Sequence, residues 1–203
     1  HMVGADGKLD ISLARRQVAG VLAVCPEAKI MLRVHLHTPP EWWAANPEEC
    51  VGYADGPATP ETRWGLERPI ARDNEHPVRA SFYSEKWRAW ARGHLRTFCA
   101  ELAGTREGAA VFAIQVAYGV YGEWHQFGFF SHEPDTGPAA TVAFRRWLQG
   151  RYGEEAALAT AWDRPGLRWV EVACPDAGAR TRADIAGLRD PRRQRAVVAY
   201  YTF

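Results

Sequence analysis

The chain has 203 residues, with 25 Lys or Arg against 24 Asp or Glu, so its formal charge is +1. This balance gives no electrostatic footprint for nucleic acid or for an anionic membrane surface. The apolar fraction of 47% is typical of a globular domain, and the longest nearly uncharged stretch, residues 109–122, is too short to span a bilayer. We therefore expect neither a nucleic-acid nor a membrane partner.

The first predicted elements are a helix and a strand. The opening His1-Met2 is typical of a cloning remnant, and Asp10 then stands where a helix N-cap is wanted. Apolar residues recur at helical spacing from there to residue 25. Aliphatic residues stand at every second position over residues 30–36, which predicts a strand with one aliphatic face. The polar side chains of the other face are Arg33, His35 and His37.

A second helix and strand follow a long segment without clear periodicity, residues 37–83. An apolar stripe predicts a helix capped by Ser84 and ending near Leu102. The run from 109 to 118 is almost continuously apolar, which is typical of a strand covered on both faces. Strand, helix, strand in this order predicts an α/β fold with parallel strands side by side.

The rest of the sequence predicts mainly helices. Helical patterns cover residues 139–152 and 155–162, and a final amphipathic helix opens at Pro191. Residues 167–175 are consistent with a short strand or an extended loop. No internal repeat and no low-complexity tract is present.

Tryptophan and cysteine bear on function and compartment. The chain has nine tryptophans, and aromatic rings without a basic track favour carbohydrate over nucleic acid as the stacking partner. Any one of these rings is also a plausible core side chain. The four cysteines form no CxxC pair, so a zinc ribbon is excluded and nothing demands an oxidising compartment. We expect a cytoplasmic protein without a cofactor.

Candidate site residues follow from the parallel sheet, because ligands bind at the carboxyl ends of such strands. The first strand supplies one group at this end: Arg33, His35, His37, Trp42 and Trp43. The second strand and its loop supply the other: Gln115, Tyr118, Glu123, Trp124 and His125. Contacts to substrate hydroxyls, to sugar faces or to neighbouring strands suit these residue types.

Glu123 is the candidate catalytic carboxylate. It follows an apolar strand and is flanked by Tyr121 and Trp124, and an apolar setting favours the protonated form that a general acid requires. A loop carboxylate paired with an arginine is the simpler alternative. His35 and His37 lie two apart on one strand face, but no third ligand is near in sequence, so no metal site is predicted.

Four segments in order resemble a known family: LRVHLHTPPEWW, SEKWRAWARGHL, VFAIQVAYG and AFRRWLQGRYGEEAALATAW. The last is similar to the helix pair after the fourth barrel strand of family 42 glycoside hydrolases, the β-galactosidase-like enzymes of clan A. The resemblance covers roughly residues 4–175. It implies a TIM barrel, a (β/α)8 fold, that hydrolyses β-linked galactosides or related β-glycosides with retention and uses two glutamates.

The resemblance departs from the family pattern at the catalytic position. Family members end the fourth strand with Asn-Glu, whereas this chain has Ala117-Tyr118-Gly119. Glu123 in the following GEW either takes the acid/base role, or that role has been lost. The family's nucleophile comes from the seventh strand, which the resemblance does not extend to.

The resemblance therefore implies that residues 1–203 are one partial barrel segment around strands three and four with their helices. The expected partners are a carbohydrate substrate and either the remainder of the barrel or a second copy of the chain. Two alternatives stay open: a non-catalytic carbohydrate-binding protein of the same fold, and a small two-layer α/β interaction domain unrelated to sugars.

Overall fold

The structure, a computed structural model, describes residues 2–4, 6–58, 77–120, 122–129, 132–184 and 186–203. Its two strands are β1 (Ile30–His35) and β2 (Val111–Ala117). The helices of the described part are α1 (Ser12–Val24), α2 (Pro40–Ala45), α3 (Glu85–Ala103), α4 (Pro138–Tyr152), α5 (Glu155–Trp162), α6 (Ala177–Thr181) and α7 (Arg195–Thr202).

The sheet is formed by β1 and β2, which pair in parallel. Arg33 lies opposite Gln115 and His35 opposite Ala117, with a register irregularity after Ile30. Because side chains alternate along a strand, these four residues share one face of the sheet. The predicted parallel pairing across an intervening helix is confirmed, and the described sheet consists of these two strands.

The chain divides into two compact units, and the first comprises residues 2–47 and 85–126 of the described chain. Its buried apolar side chains come from both strands and from the helices α1, α2 and α3. The predicted stripe of α3 is buried at Trp87, Ala91, Phe98 and Leu102. The aliphatic face of β1 ends in the buried residues Val34 and Leu36. Periodicity thus predicted the buried face of α3 and the inward face of β1. It did not predict that of α1, where Val18 alone is buried and Val21, on the same predicted stripe, is 47% exposed.

The second unit comprises residues 48–58, 77–84 and 127–203 of the described chain. Its core is centred on α4, where Phe144 and Leu148 have no exposed surface. The other core members come from α4, α5, α7 and the segment between α5 and α6: Ala140, Leu158, Ala159, Trp162, Leu167, Val172, Cys174 and Tyr200. This core is an aliphatic and aromatic cluster between helices.

Four expected elements differ from the structure in kind or in bounds. The first helix begins at Ser12 with Ile11 at the N-cap position, and Asp10, the expected cap, accepts a hydrogen bond from Ser12 N at 2.7 Å instead. The segment 37–83, which shows no periodicity, contains α2. Pro40 fits its first turn, where the missing N–H of proline has no helical partner to lose. Residues 59–76 of that segment lie outside the described part. Residues 169–171 form a 3₁₀ turn. The last helix begins at Arg195, because residues 191–193 form a turn before it.

β2 is less buried than the sequence predicts. It was expected to be buried on both faces, yet Phe112 is 68% exposed and most of the strand is half-buried. Within the described chain, β2 has one neighbouring strand, so part of its surface has nothing packed on it. No helix in the described residues is both long enough and apolar enough to cross a bilayer.

Candidate functional site

The polar face of the sheet in the first unit holds a cross-strand pair. Arg33 Nε donates a hydrogen bond to Gln115 Oε1 at 3.0 Å. The two residues are directly opposite in the parallel register, so the strand pairing itself brings the side chains together. The sequence placed both at strand ends, and the structure joins them on one face.

Two histidines and a tyrosine stack where the strands end. The rings of His35 and His37 have centroids 5.6 Å apart, and His37 stacks on Tyr118 at 4.8 Å. His37 and Tyr118 are buried, while His35 is half-buried. Burial, and to a lesser degree the nearby Arg33 charge, lowers the pKa of His35 below its ordinary value. This direction favours the neutral imidazole, a form with one donor and one acceptor nitrogen.

The two tryptophans of α2 have different environments. Trp43 is 5% exposed, and its indole N–H donates to Thr38 Oγ1 at 2.7 Å. Trp42 is half-buried, and its carbonyl accepts from Asn46 Nδ2 at 2.7 Å. In this chain Trp43 is a packing residue, and contact of either ring with substrate stays a prediction.

A tight turn follows β2 and has Glu123 at its tip. Val120 N donates to the His125 carbonyl at 2.9 Å, and Glu123 N donates to the Val120 carbonyl at 3.0 Å. Gly119 and Gly122 have φ of +73° and +78°, in the region that glycine alone adopts readily. A Cβ on Gly119 would lie 2.1 Å from the His125 carbonyl oxygen, so the turn requires glycine there.

Trp124 fixes this turn on the sheet. Its amide donates to the Tyr118 carbonyl at 2.8 Å, and its indole N–H donates to the Val116 carbonyl at 3.0 Å. The ring also lies 6.1 Å from Tyr118 and 6.4 Å, edge-on, from Trp87. Trp124 is nevertheless 44% exposed. A large aromatic surface is thus held in place beside Glu123 while remaining accessible, as stacking on a sugar face requires.

Trp87 of α3 is a site residue that sequence reasoning assigned to the core alone. It is 3% exposed, packs on Tyr118 at 4.6 Å, and its indole N–H donates to the Leu36 carbonyl at 3.2 Å. Trp87 therefore links the ends of both strands. Its place on the apolar stripe predicted the burial, but the hydrogen bond joins residues 51 apart and has no signal in the sequence.

Glu123 itself is exposed, as is His125. The sequence predicted that Tyr121 and Trp124 would desolvate this carboxyl; Tyr121 lies outside the described residues, and Trp124 leaves Glu123 open to solvent. The described part of the chain holds no group of three side chains suited to a metal ion. The site consists of an accessible carboxylate, an accessible indole and a half-buried imidazole near paired strand ends.

The second unit contains a buried carboxyl that sequence reasoning missed. Asp135 is 2% exposed, and Ser81 Oγ donates to its Oδ2 at 2.5 Å. Two amides, Gly52 N and Gly137 N, donate to Oδ1 at 2.9 and 2.8 Å. Burial raises the pKa of Asp135 above its ordinary value, although the three donors oppose that change. Because its oxygens are occupied by this chain, Asp135 joins three segments rather than facing a ligand.

Comparison with known proteins shows similarity of fold. No protein-family model and no curated protein matches the sequence. Two solved structures are similar: β-galactosidase from the psychrophilic Marinomonas ef1 (TM-score 0.56, 18% identity, 84% of this chain) and β-galactosidase from Bacillus circulans sp. alkalophilus (0.55, 16%, 87%). The chain has the fold of part of these β-galactosidases. It spans 23% of the length of each, and the resemblance seen in the sequence is confirmed at the level of fold.

Proposed function

We propose that this chain is a segment of a glycoside hydrolase barrel, contributing strands three and four, and that the whole protein hydrolyses β-linked galactosides or related β-glycosides. The observation that supports this best is the combination of the β-galactosidase fold with Glu123 and Trp124 on a hydrogen-bonded turn at a strand end. Fold alone does not imply activity, so the proposal depends on these side chains.

The barrel is inferred from the sheet. A (β/α)8 barrel takes about 250 residues and eight strands, whereas the described chain has two strands in its sheet. The face carrying Arg33 and Gln115 would point into such a barrel, and its carboxyl end is where the active sites of these folds lie. The remainder of the barrel is therefore the proposed partner of this segment.

The proposed chemistry uses two carboxyl groups. Retaining glycosidases place them about 5–5.5 Å apart on different strands. Glu123 would protonate the glycosidic oxygen as the bond from that oxygen to the anomeric carbon breaks, while a carboxylate from the remainder of the barrel attacks that carbon. Glu123 would then take a proton from the water that releases the sugar. His35 would hydrogen-bond a hydroxyl, and the Trp124 face would pack on the sugar ring.

A second candidate function is carbohydrate binding without catalysis. Two observations favour it: Ala117-Tyr118-Gly119 stands where the resembling family has Asn-Glu, and Glu123 is exposed. The indole of Trp124 would serve a binding protein equally well. The two functions differ in whether the Glu123 carboxyl transfers a proton.

The substitution Glu123→Gln in the intact enzyme separates them. It preserves size and removes proton transfer, so kcat on an unactivated β-galactoside should fall about 100-fold or more. Aryl galactosides with acidic leaving groups need less protonation, so the rate of bond cleavage should fall less for them. Azide should restore part of the rate of the second step, because it replaces the water that Glu123 would activate. The matched control is Glu101→Gln, an exposed carboxylate on α3, which should keep wild-type kcat.

Near-wild-type turnover by the Glu123→Gln protein would remove Glu123 from the mechanism. Saturable binding of galactosides without turnover in the wild-type protein would establish the binding function instead. Loss of activity in both variants would point to a general defect and not to proton transfer.

A further inference from the structure

A cleft in the second unit lies between α4, α5 and α7 and has no role in the function proposed above. Its volume is about 190 Å³. Pockets for drug-sized ligands are about 300–1,000 Å³, so this cleft has room for a single ring rather than a chain of sugars. It belongs entirely to one compact unit, so its shape is defined by that unit alone.

Aromatic rings form much of the wall. Trp147 and Tyr152 come from α4, and Trp162 comes from α5. Trp162 is fixed in the core at 7% exposure, while Trp147 and Tyr152 are half-buried. Rings of this kind offer flat apolar faces to the C–H groups of a ligand ring. Tyr152 also brings a hydroxyl to the cleft, whereas Thr202 Oγ1 already donates to the Val198 carbonyl at 2.7 Å and has only its acceptor sites left for a ligand.

Two guanidinium groups make the cleft cationic. Arg195 is held by two backbone carbonyls: its Nη1 donates to Ala161 at 2.7 Å and its Nε to Arg192 at 2.8 Å. The Arg151 guanidinium carbon lies 5.5 Å from the Trp147 ring and 5.9 Å from the Tyr152 ring. In the described part of the chain, the Arg151 side chain has no hydrogen bond and no carboxylate partner, and no acidic residue lines the cleft.

We propose that this cleft binds a hydroxylated ring that bears one carboxylate, a free hexuronate. The aromatic walls select a ring over a bare anion, and the uncompensated guanidinium groups select a carboxylate over a neutral sugar. The volume selects one residue over an oligosaccharide. This site does not depend on the proposed hydrolase function.

The test is a calorimetric titration of the 203-residue chain with sodium galacturonate. Saturable one-to-one binding is expected, and Arg151→Gln should weaken it at least tenfold by removing a charge-assisted contact. The matched control is Arg146→Gln, an exposed arginine on the same helix that does not line the cleft, which should bind within twofold of wild type. Galactose and acetate should each bind at least tenfold more weakly than galacturonate.

Three results would overturn the site. These are the absence of saturable binding at millimolar galacturonate, equal affinity for acetate and galacturonate, and unchanged affinity in Arg151→Gln. Trp147→Leu should also weaken binding, but its ring packs on Phe144 and its loss can disturb the core. Arg151 is exposed and makes only ring contacts with its side chain, so its variant should melt close to the wild-type temperature and gives the decisive comparison.

Discussion

Two polar side chains from each unit have opposite environments. In the first, Glu123 and His125 are exposed, and Trp124 keeps 44% of its surface accessible although its backbone and indole are hydrogen-bonded. In the second, Asp135 and Arg180 are 2% and 4% exposed. A functional group must be positioned yet reachable, whereas a buried polar group must be satisfied by its own chain. The difference separates a candidate site from structural polar contacts.

Arg180 shows how complete that satisfaction is. Its Nη1 donates to the Glu133 carbonyl at 2.5 Å and its Nη2 to the Pro134 carbonyl at 2.8 Å. The same Nη2 lies 3.0 Å from Glu133 Oε2, and the guanidinium carbon lies 4.7 Å from the Tyr200 ring centroid. These contacts hold the loop before α4 on α6 and α7. Arg180 is therefore a structural residue, and removing it should affect folding rather than binding.

The largest expected effect tests whether the second unit depends on its packed core. Phe144 has no exposed surface and lies between Trp162 at 6.4 Å and Tyr200 at 5.7 Å. Phe144→Ala should lower the free energy of unfolding by about 3–5 kcal/mol, because the transfer free energy of the buried ring is lost and a cavity is left in its place. Urea unfolding followed by circular dichroism measures this change.

Val142→Ala on the same helix is the control, since Val142 is 52% exposed and should change stability by under about 1 kcal/mol. Equal effects of the two substitutions would show that α4 does not bury Phe144 as described.

The next effect concerns the buried carboxyl of Asp135. Because its folded-state pKa is raised above 3.8, the folded chain retains a proton that the unfolded chain releases as the pH rises. The contribution to stability is therefore fully present below about pH 3.8 and falls as the pH rises through the raised pKa. Each tenfold difference in proton affinity corresponds to about 1.4 kcal/mol.

Asp135→Asn has no proton to lose, so the stability of wild type relative to this variant should decline from acid to neutral pH. Urea unfolding of both proteins across that range measures the difference. A relative stability of wild type that grows with pH would mean that the donors Ser81, Gly52 and Gly137 outweigh burial.

Sequence periodicity predicted most of the elements because they are local. The predicted helix 155–162 matches the observed bounds of α5. The predicted start of α4 at residue 139 is one residue after its observed start at Pro138. The parallel pairing of β1 and β2 also followed from local order, because a helix between two strands favours adjacent parallel placement.

The remote contacts were not predictable in this way. Asp135 lies in a segment without periodicity, and its partners Ser81 and Gly52 are 54 and 83 residues away. Residue types at the strand ends suggested the candidate site. The left-handed turn that exposes Glu123 depends on backbone hydrogen bonds, which spacing does not reveal.

A matched pair of glycines compares the two units directly. Gly122 and Gly166 have φ of +78° and +79°, but a Cβ on Gly122 would lie 2.9 Å from His35 Cε1, while nothing lies within 4 Å of one on Gly166. Both Ala substitutions should cost about 1–2 kcal/mol of backbone strain. Gly122→Ala should cost roughly 1 kcal/mol more, because the added Cβ would also lie 2.9 Å from Ala117 Cβ, so the turn must move as well as His35. Thermal melts measure both, and equal costs would contradict the close approach.

The smallest expected effect is at the polar face of the sheet. Arg33 Nε and Gln115 Oε1 are 3.0 Å apart, but Arg33 is exposed, so solvent competes for the hydrogen bond. A double-mutant cycle with Arg33→Ala and Gln115→Ala should give a coupling of about 0.2–1 kcal/mol in this chain. In a closed barrel the same pair would be shielded from water, and its coupling should be larger. Urea unfolding of this chain and of the whole protein provides both values. A coupling that is equal in the two would argue against this face pointing into a barrel, and with it against the assignment of β1 and β2 as strands three and four.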